Sequence, residues 1–108
     1  MGEGYIPIIN REETCKVYIV NVLFIEQDLR KIIVHTEDGL FWRYGKIEEL
    51  LKYLDDRFFK CHKSCIINLD KVMKMKEQTV FFENGDKIVM SKEKFRLAKQ
   101  NFAGRMLN

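Results

Sequence analysis

The sequence predicts a mainly β domain of short antiparallel strands and hairpins, with one amphipathic helix mid-chain and a short C-terminal helix. Three observations carry this reading. Runs rich in β-branched and aromatic residues recur along the chain. Asp38-Gly39 and Asn84-Gly85 each divide two such runs, the placement expected of a hairpin corner. A single apolar stripe of helical period stands between the two hairpins.

Val17 to Ile25 reads as the first strand, interrupted by Glu26, Gln27 and Asp28, a polar loop leading to Arg30 and Lys31. Ile32 to Glu37 is a second run, and Asp38-Gly39 then precedes Leu40, Phe41 and Trp42. An Asp-Gly pair suits a type I′ turn, which needs positive φ at both central residues. Ile47, Leu50, Leu51 and Leu54 fall at i, i+3, i+4 and i+7, an apolar stripe facing a core. Glu48, Glu49 and Lys52 take the wet side, with the acids where the helix dipole favours them. Tyr44-Gly45 marks the helix start and Asp55-Asp56 its end. Phe58-Phe59 follow, then a strand around Ser64 to Leu69 and a Lys-studded strand from Lys71 to Lys76. Val80 to Glu83 and Lys87 to Met90 flank Asn84-Gly85. Ser91 caps the last helix, with Phe95, Ala98 and Phe102 on one side. Pro7 and the uneven Met1–Glu13 segment predict a flexible arm over residues 1–15, leaving 16–108 as the domain.

Composition bounds the function. A length of 108 residues accommodates one core, and 46% hydrophobic with 32% charged residues is ordinary for a globular domain. No apolar run approaches the roughly 20 residues of a membrane span, and no signal peptide is visible, so a cytoplasmic protein without membrane insertion is expected. Charge is unevenly placed. Residues 1–56 hold seven Lys/Arg against eleven Asp/Glu, a net of −4, whereas residues 57–108 hold twelve against five, a net of +7. Such asymmetry points the second half towards a polyanion, although Lys-rich solvated faces are common.

Cys15, Cys61 and Cys65 are odd in number and lack framework spacing, which argues against structural disulfides. Cys61, His62 and Cys65 invite a metal reading. Yet no second ligand cluster exists, Cys15 and His35 lie far off, and in an extended strand His62 would point away from both cysteines. Reduced, partly packed thiols with no metal are therefore expected. Phosphate-cradling loops, nucleophile elbows and HExxH motifs are missing from the sequence, so no catalytic residue and no cofactor is assigned.

One stretch is more specific. Phe58-Phe59-Lys60-Cys61-His62-Lys63-Ser64-Cys65-Ile66-Ile67-Asn68-Leu69-Asp70-Lys71-Val72 resembles the signature of the LytTR family of bacterial transcriptional regulators. The flanks agree. Tyr44-Gly45 with the helix and Asp55-Asp56-Arg57 resembles the family's mid-region, and Ile88-Val89-Met90-Ser91-Lys92 its C-terminal strand and Ser-basic corner. The resemblance covers about residues 16–102.

It implies an elongated DNA-binding domain that inserts loops, rather than a recognition helix, into successive major grooves of promoter DNA. Three positions would reach base edges. They are Arg30 before the second strand, Lys63 after the motif His, and the corner after Ser91, here Lys92-Glu93-Lys94. The corner departs from the pattern, because Glu93 stands where Arg is frequent; either Lys92 or Lys94 takes over this contact, or it is weak. Arg30 can bond guanine O6 and N7 in a bidentate way, and Lys63 reaches guanine less directionally. Lys31, His62, Ser64 and Lys94 suit phosphate, which positions a protein without specifying sequence. Cys65 departs from a usually aromatic position and should affect packing. Asn68 reads as a backbone-bonding turn residue, not a DNA contact. Compatible partners are double-stranded DNA, further copies of the chain on repeated sites, and a regulatory protein or receiver domain of a two-component response regulator. The competing class is a protein-interaction module that binds a sensor or a membrane-anchored inhibitor.

Overall fold

The computed structural model describes residues 4–108. The central sheet is five-stranded and antiparallel, in the order β5-β4-β3-β7-β6. Its strands are β3 (Val22–Asp28), β4 (Lys31–Thr36), β5 (Gly39–Tyr44), β6 (Phe58–His62) and β7 (Cys65–Asn68). Before it, β1 (Tyr5–Ile9) and β2 (Thr14–Tyr18) form a hairpin; after it, β8 (Val72–Lys76), β9 (Thr79–Phe82) and β10 (Lys87–Val89) form a three-stranded meander. The helix α1 (Lys92–Leu107) closes the chain. The mainly β class read from the sequence is the one observed, with principal extents of 39 × 34 × 24 Å.

The central sheet is buried on both faces, which explains the unbroken apolar run at Val22–Ile25. Val22, Ile25, Ile32, Val34 and Ile66 pack on one side against Ile6, Ile8, Val17, Ile47 and Leu50. Leu23, Phe24, Cys65 and Ile67 pack on the other against Val72, Val80, Phe82, Met90 and Ala98. A register shift between Val22 and Phe24 in β3 lets the adjacent Leu23 and Phe24 both serve the second core, while Val22 and Ile25 serve the first.

Asn68 joins the two halves. It is fully buried, its Nδ2 donates to the Val22 carbonyl (2.8 Å), and its Oδ1 accepts from the Asp70 amide (2.9 Å). The backbone-bonding role expected from its place after two aliphatics is thus present. Within the 3-10 turn that it caps (Leu69–Lys71), Arg105 of α1 donates twice to the Asp70 carboxylate, at 2.7 and 3.0 Å. This pair holds the Asp70 carboxyl below its usual range and ties the end of α1 to the sheet.

Four expectations need correcting. Residues 1–15 were expected to form a flexible arm. From Tyr5 onwards this segment is instead paired β1 to β2, with Ile6 and Ile8 fully buried, because alternating Ile6 and Ile8 supply a core face; Met1 to Glu3 lie outside the described residues. The expected strand Val17 to Ile25 is broken by a 3-10 turn at Ile19–Asn21, which passes the chain from the hairpin to the main sheet. The polar triplet Glu26-Gln27-Asp28 belongs to β3 rather than to a loop. The mid-chain helix, Ile47–Tyr53, is wound as 3-10. Its three-residue period keeps Ile47 and Leu50 buried and turns Leu51 out to 46% exposure.

Turn chemistry also differs in detail. The β4–β5 corner is Glu37-Asp38, with Gly39 (φ +128) just after it. Positive φ at both central residues occurs instead in the β8–β9 corner, at Glu77 (φ 54) and Gln78 (φ 60), a pair without the Gly or Asn that announces such turns.

Candidate nucleic-acid interface

Two turns emerge side by side at one end of the central sheet, because β3 ends where its neighbour β7 begins. Glu26 pairs with Cys65, and the Gln27 amide donates to the Ser64 carbonyl at 2.9 Å. The first turn carries Leu29 and Arg30 at its corner, between the paired residues Asp28 and Lys31. Leu29 holds φ 58 and is 90% exposed. Arg30 is exposed and lines an open cleft of ≈ 570 Å³ with Tyr44, Gly45, Lys46 and Glu49. Lys31 is half-buried, its ammonium 4.3 Å from the centroid of the Trp42 ring.

Gln27 fixes this turn. Its Nε2 lies within bonding distance of the Leu29 (2.9 Å), Lys31 (3.2 Å) and Gly45 (2.9 Å) carbonyls, and its Oε1 accepts from the Ile47 amide at 2.6 Å. The Gly45 amide donates in turn to the Arg30 carbonyl at 3.0 Å. Gly45 adopts φ +136, and a Cβ there would come within 2.6 Å of Glu49 Oε1. Sequence reasoning missed Gln27, having placed it in a loop; its only signal was a neutral polar residue between acids. Gln27→Ala is expected to cost about 1–2 kcal/mol of stability, as half-buried backbone groups lose their partner. Urea melts would measure it, and amide exchange at Gly45 and Ile47 should accelerate. Unchanged exchange at both would show that Gln27 does not hold the turn.

The second turn has Lys63-Ser64 at its corner, between the paired residues His62 and Cys65. His62 and Lys63 are exposed and Ser64 is half-buried, its amide donating to His62 Nδ1 at 3.0 Å. The strand therefore reverses after His62 instead of running on to Cys65. This corrects the extended geometry assumed for Cys61, His62 and Cys65, whose sulfur and ring-nitrogen atoms all lie within 4.8 Å of one another. Cys61 and Cys65 are buried, and the Cys61 thiol donates to the Cys65 carbonyl at 3.2 Å.

The third element is the start of α1. Ser91 caps it as expected, with Oγ accepting from the Lys94 amide at 3.3 Å. Lys92 is exposed and Lys94 half-buried. Lys94 approaches the second turn closely enough that its charge helps to lower the pKa of the Cys61 thiol, after the larger effect of a hydrogen bond from the Cys65 side chain. Glu93 lies in the first helical turn, where the dipole favours a carboxylate. This supplies a physical reason for an acid at that position.

The structure thus brings Arg30, Lys63 and Lys94 to adjoining turns. Among the described residues, none of Arg30, Lys63, Lys92 and Lys94 is ion-paired, whereas Lys60, Lys71, Arg43, Arg57 and Arg105 are.

The profile of the family described as the LytTr DNA-binding domain matches residues 12–103. The chain belongs to the LytTR family of DNA-binding domains. It is 34% identical over 70 residues to accessory gene regulator protein A of Staphylococcus epidermidis, covering 61% of this chain and 29% of that protein. Against the protein of the same name from Staphylococcus aureus it is 34% identical over 68 residues, covering 59% of this chain and 28% of the relative. The chain therefore spans less than a third of these relatives. The fold matches a solved LytTr DNA-binding domain of a putative methyl-accepting/DNA response regulator from Bacillus cereus, with a TM-score of 0.76 at 19% identity, covering 93% of this chain and 97% of that one. Among the described residues, no helix is long and apolar enough to cross a membrane.

Proposed function

We propose that this chain is the DNA-binding part of a cytoplasmic transcriptional regulator that reads promoter DNA through the turns at Arg30, Lys63 and the start of α1. The observation that carries this reading is the side-by-side emergence of the first two turns, joined through Gln27 and Ser64, with cations that are not ion-paired among the described residues. Arg30, Lys63 and Lys92 are the base-reading residues; Lys31, His62, Ser64 and Lys94 hold phosphates. The relatives named as gene regulators support the regulatory role. Their greater length supports control by a receiver domain or a regulatory protein, and repeated sites would seat further copies.

Gel-shift titration on upstream DNA of its own gene, over a series of salt concentrations, tests the reading. Steep loss of affinity with salt is expected as phosphate contacts release counterions. Salt-insensitive binding, or none, would overturn it. Glu93→Arg probes the third contact and should tighten binding roughly three- to tenfold by exchanging a repelled charge for an attracted one. Tightening on every sequence with a steeper salt slope means added phosphate attraction only. Tightening confined to sites with a guanine at one position means a base contact. No gain on any DNA would show that this corner faces away from the duplex.

A further inference from the structure

The turn at Lys63-Ser64 removes the geometric objection to a metal at its base. A register shift between Lys60 and His62 lies at Cys61, and the chain reversal returns Cys65 beside it. The two sulfur atoms and the ring nitrogen that result lie within 4.8 Å of one another. We propose that Cys61, His62 and Cys65 form a binding site for one thiophilic cation, zinc(II) in the first instance, with a fourth position open to an exchangeable ligand.

The chemistry suits the donors. Zn–S bonds of about 2.3 Å and Zn–N bonds of about 2.0–2.1 Å in a tetrahedron place such atoms about 3.5–3.8 Å apart. The three donors need close by only about an ångström, which side-chain rotation supplies without moving the strands. Binding replaces the two thiol protons, which leave to solvent, by the metal. Both cysteines are buried and the exposed His62 ring supplies the way in, so the site is a three-ligand pocket at the surface rather than a closed four-ligand one.

The site is coupled to the turn it underlies. In the metal-free turn His62 Nδ1 accepts from the Ser64 amide, which requires the proton on Nε2. A metal on Nδ1 takes the accepting lone pair; a metal on Nε2 moves the proton to Nδ1. Either way the Ser64 bond is lost, so the ion and this conformation of the Lys63 turn exclude each other. Ion binding is therefore expected to weaken recognition of specific DNA about tenfold, through loss of an interaction comparable to one charge-assisted hydrogen bond. That consequence rests on the reading of the turn as a DNA contact; occupancy of the site does not.

Cobalt(II) titration of the reduced wild-type chain, under anaerobic conditions with a non-chelating reductant, tests the site directly. One cobalt per chain is expected, with a sulfur-to-metal charge-transfer band and visible bands of tetrahedral intensity, displaced by zinc. Cys15→Ser should leave the spectrum unchanged. Cys65→Ser should weaken binding more than about 100-fold, beyond the cost of losing an outer-shell partner. Should Cys65→Ser fail to fold by circular dichroism, Cys65→Ala replaces it, and the band intensity in wild-type protein still counts the thiolates. No sulfur-to-cobalt band, or a band that vanishes in Cys15→Ser, overturns the site. Zinc binding that leaves specific DNA affinity unchanged overturns the coupling, while a chain that binds zinc but no DNA overturns the DNA reading instead.

Discussion

Asn68→Ala should lower the unfolding free energy by about 3 kcal/mol, because a buried donor and a buried acceptor are lost together. The Nδ2 bond to Val22 ties β7 to the start of β3, and the Oδ1 bond to Asp70 opens the turn from the central sheet to the meander. No solvent reaches the side chain, so water cannot replace either bond without opening the core. For a domain of this size the loss corresponds to a fall in Tm of about 10–20 °C. Calorimetry and urea unfolding would measure it. A change below about 0.5 kcal/mol, the range of ordinary surface substitutions, would show that neighbouring groups satisfy these partners without Asn68. Asn68→Asp is a harsher companion, since it keeps the acceptor for the Asp70 amide but sets a buried ionisable carboxyl against the Val22 carbonyl.

The sequence makes the strands legible wherever apolar content dictates them. β4, β5, β7 and β9 occupy runs read from β-branched and aromatic residues, and β8 the Lys-studded run from Lys71 to Lys76. It misleads where one local rule competes with tertiary packing. Val17 to Ile25 is apolar throughout, yet its residues serve two different sheets, and nothing in the run itself marks the 3-10 turn at Ile19–Asn21. Ile47, Leu50, Leu51 and Leu54 satisfy an α-helical period, but Ile47 and Leu50 also satisfy a period of three; the shorter winding keeps both in the core and leaves Leu51 outside. The N-terminal segment looked loose because Pro7 and polar residues punctuate it. Pro7 is tolerated since β1 is paired through β2 alone.

The candidate interface was legible as a set of residue types and illegible as an arrangement. Arg30 and Lys63 are both exposed on turns. That the two turns adjoin follows from the register of β3 on β7, a pairing between segments some 40 residues apart, as Glu26 with Cys65 illustrates. Gln27 was hidden for the same reason: its three acceptors and one donor come from two chain segments, 29–31 and 45–47. The cysteines carry the same lesson. A spacing of four residues means separation in a strand and proximity in a hairpin, and only the turn at Lys63-Ser64 decides between them.

Lys63→Ala should cost the specific site about 1–3 kcal/mol of discrimination, a loss of roughly 5- to 150-fold in affinity for the cognate sequence. The side chain stands at a corner whose backbone is held from both sides, by His62 through the Ser64 amide and by Gln27 through the Ser64 carbonyl. On the proposed reading this cation reads base edges, which carry sequence information, whereas a phosphate contact would serve any sequence. Binding to random DNA should therefore fall by less than about threefold, and the salt slope on random DNA should barely change. Fluorescence anisotropy on a selected site and on a scrambled one, each at several salt concentrations, separates the two roles. Equal losses on both sequences, with the slope reduced by about one, would make Lys63 a phosphate contact. Lys63→Arg sharpens the test. A base-reading position in a major groove should keep or raise its preference for guanine, since the guanidinium bonds O6 and N7 together. Lys94→Ala supplies the contrast, because its half-buried place near Cys61 suits a phosphate clamp: it should weaken both DNAs alike and flatten the salt slope.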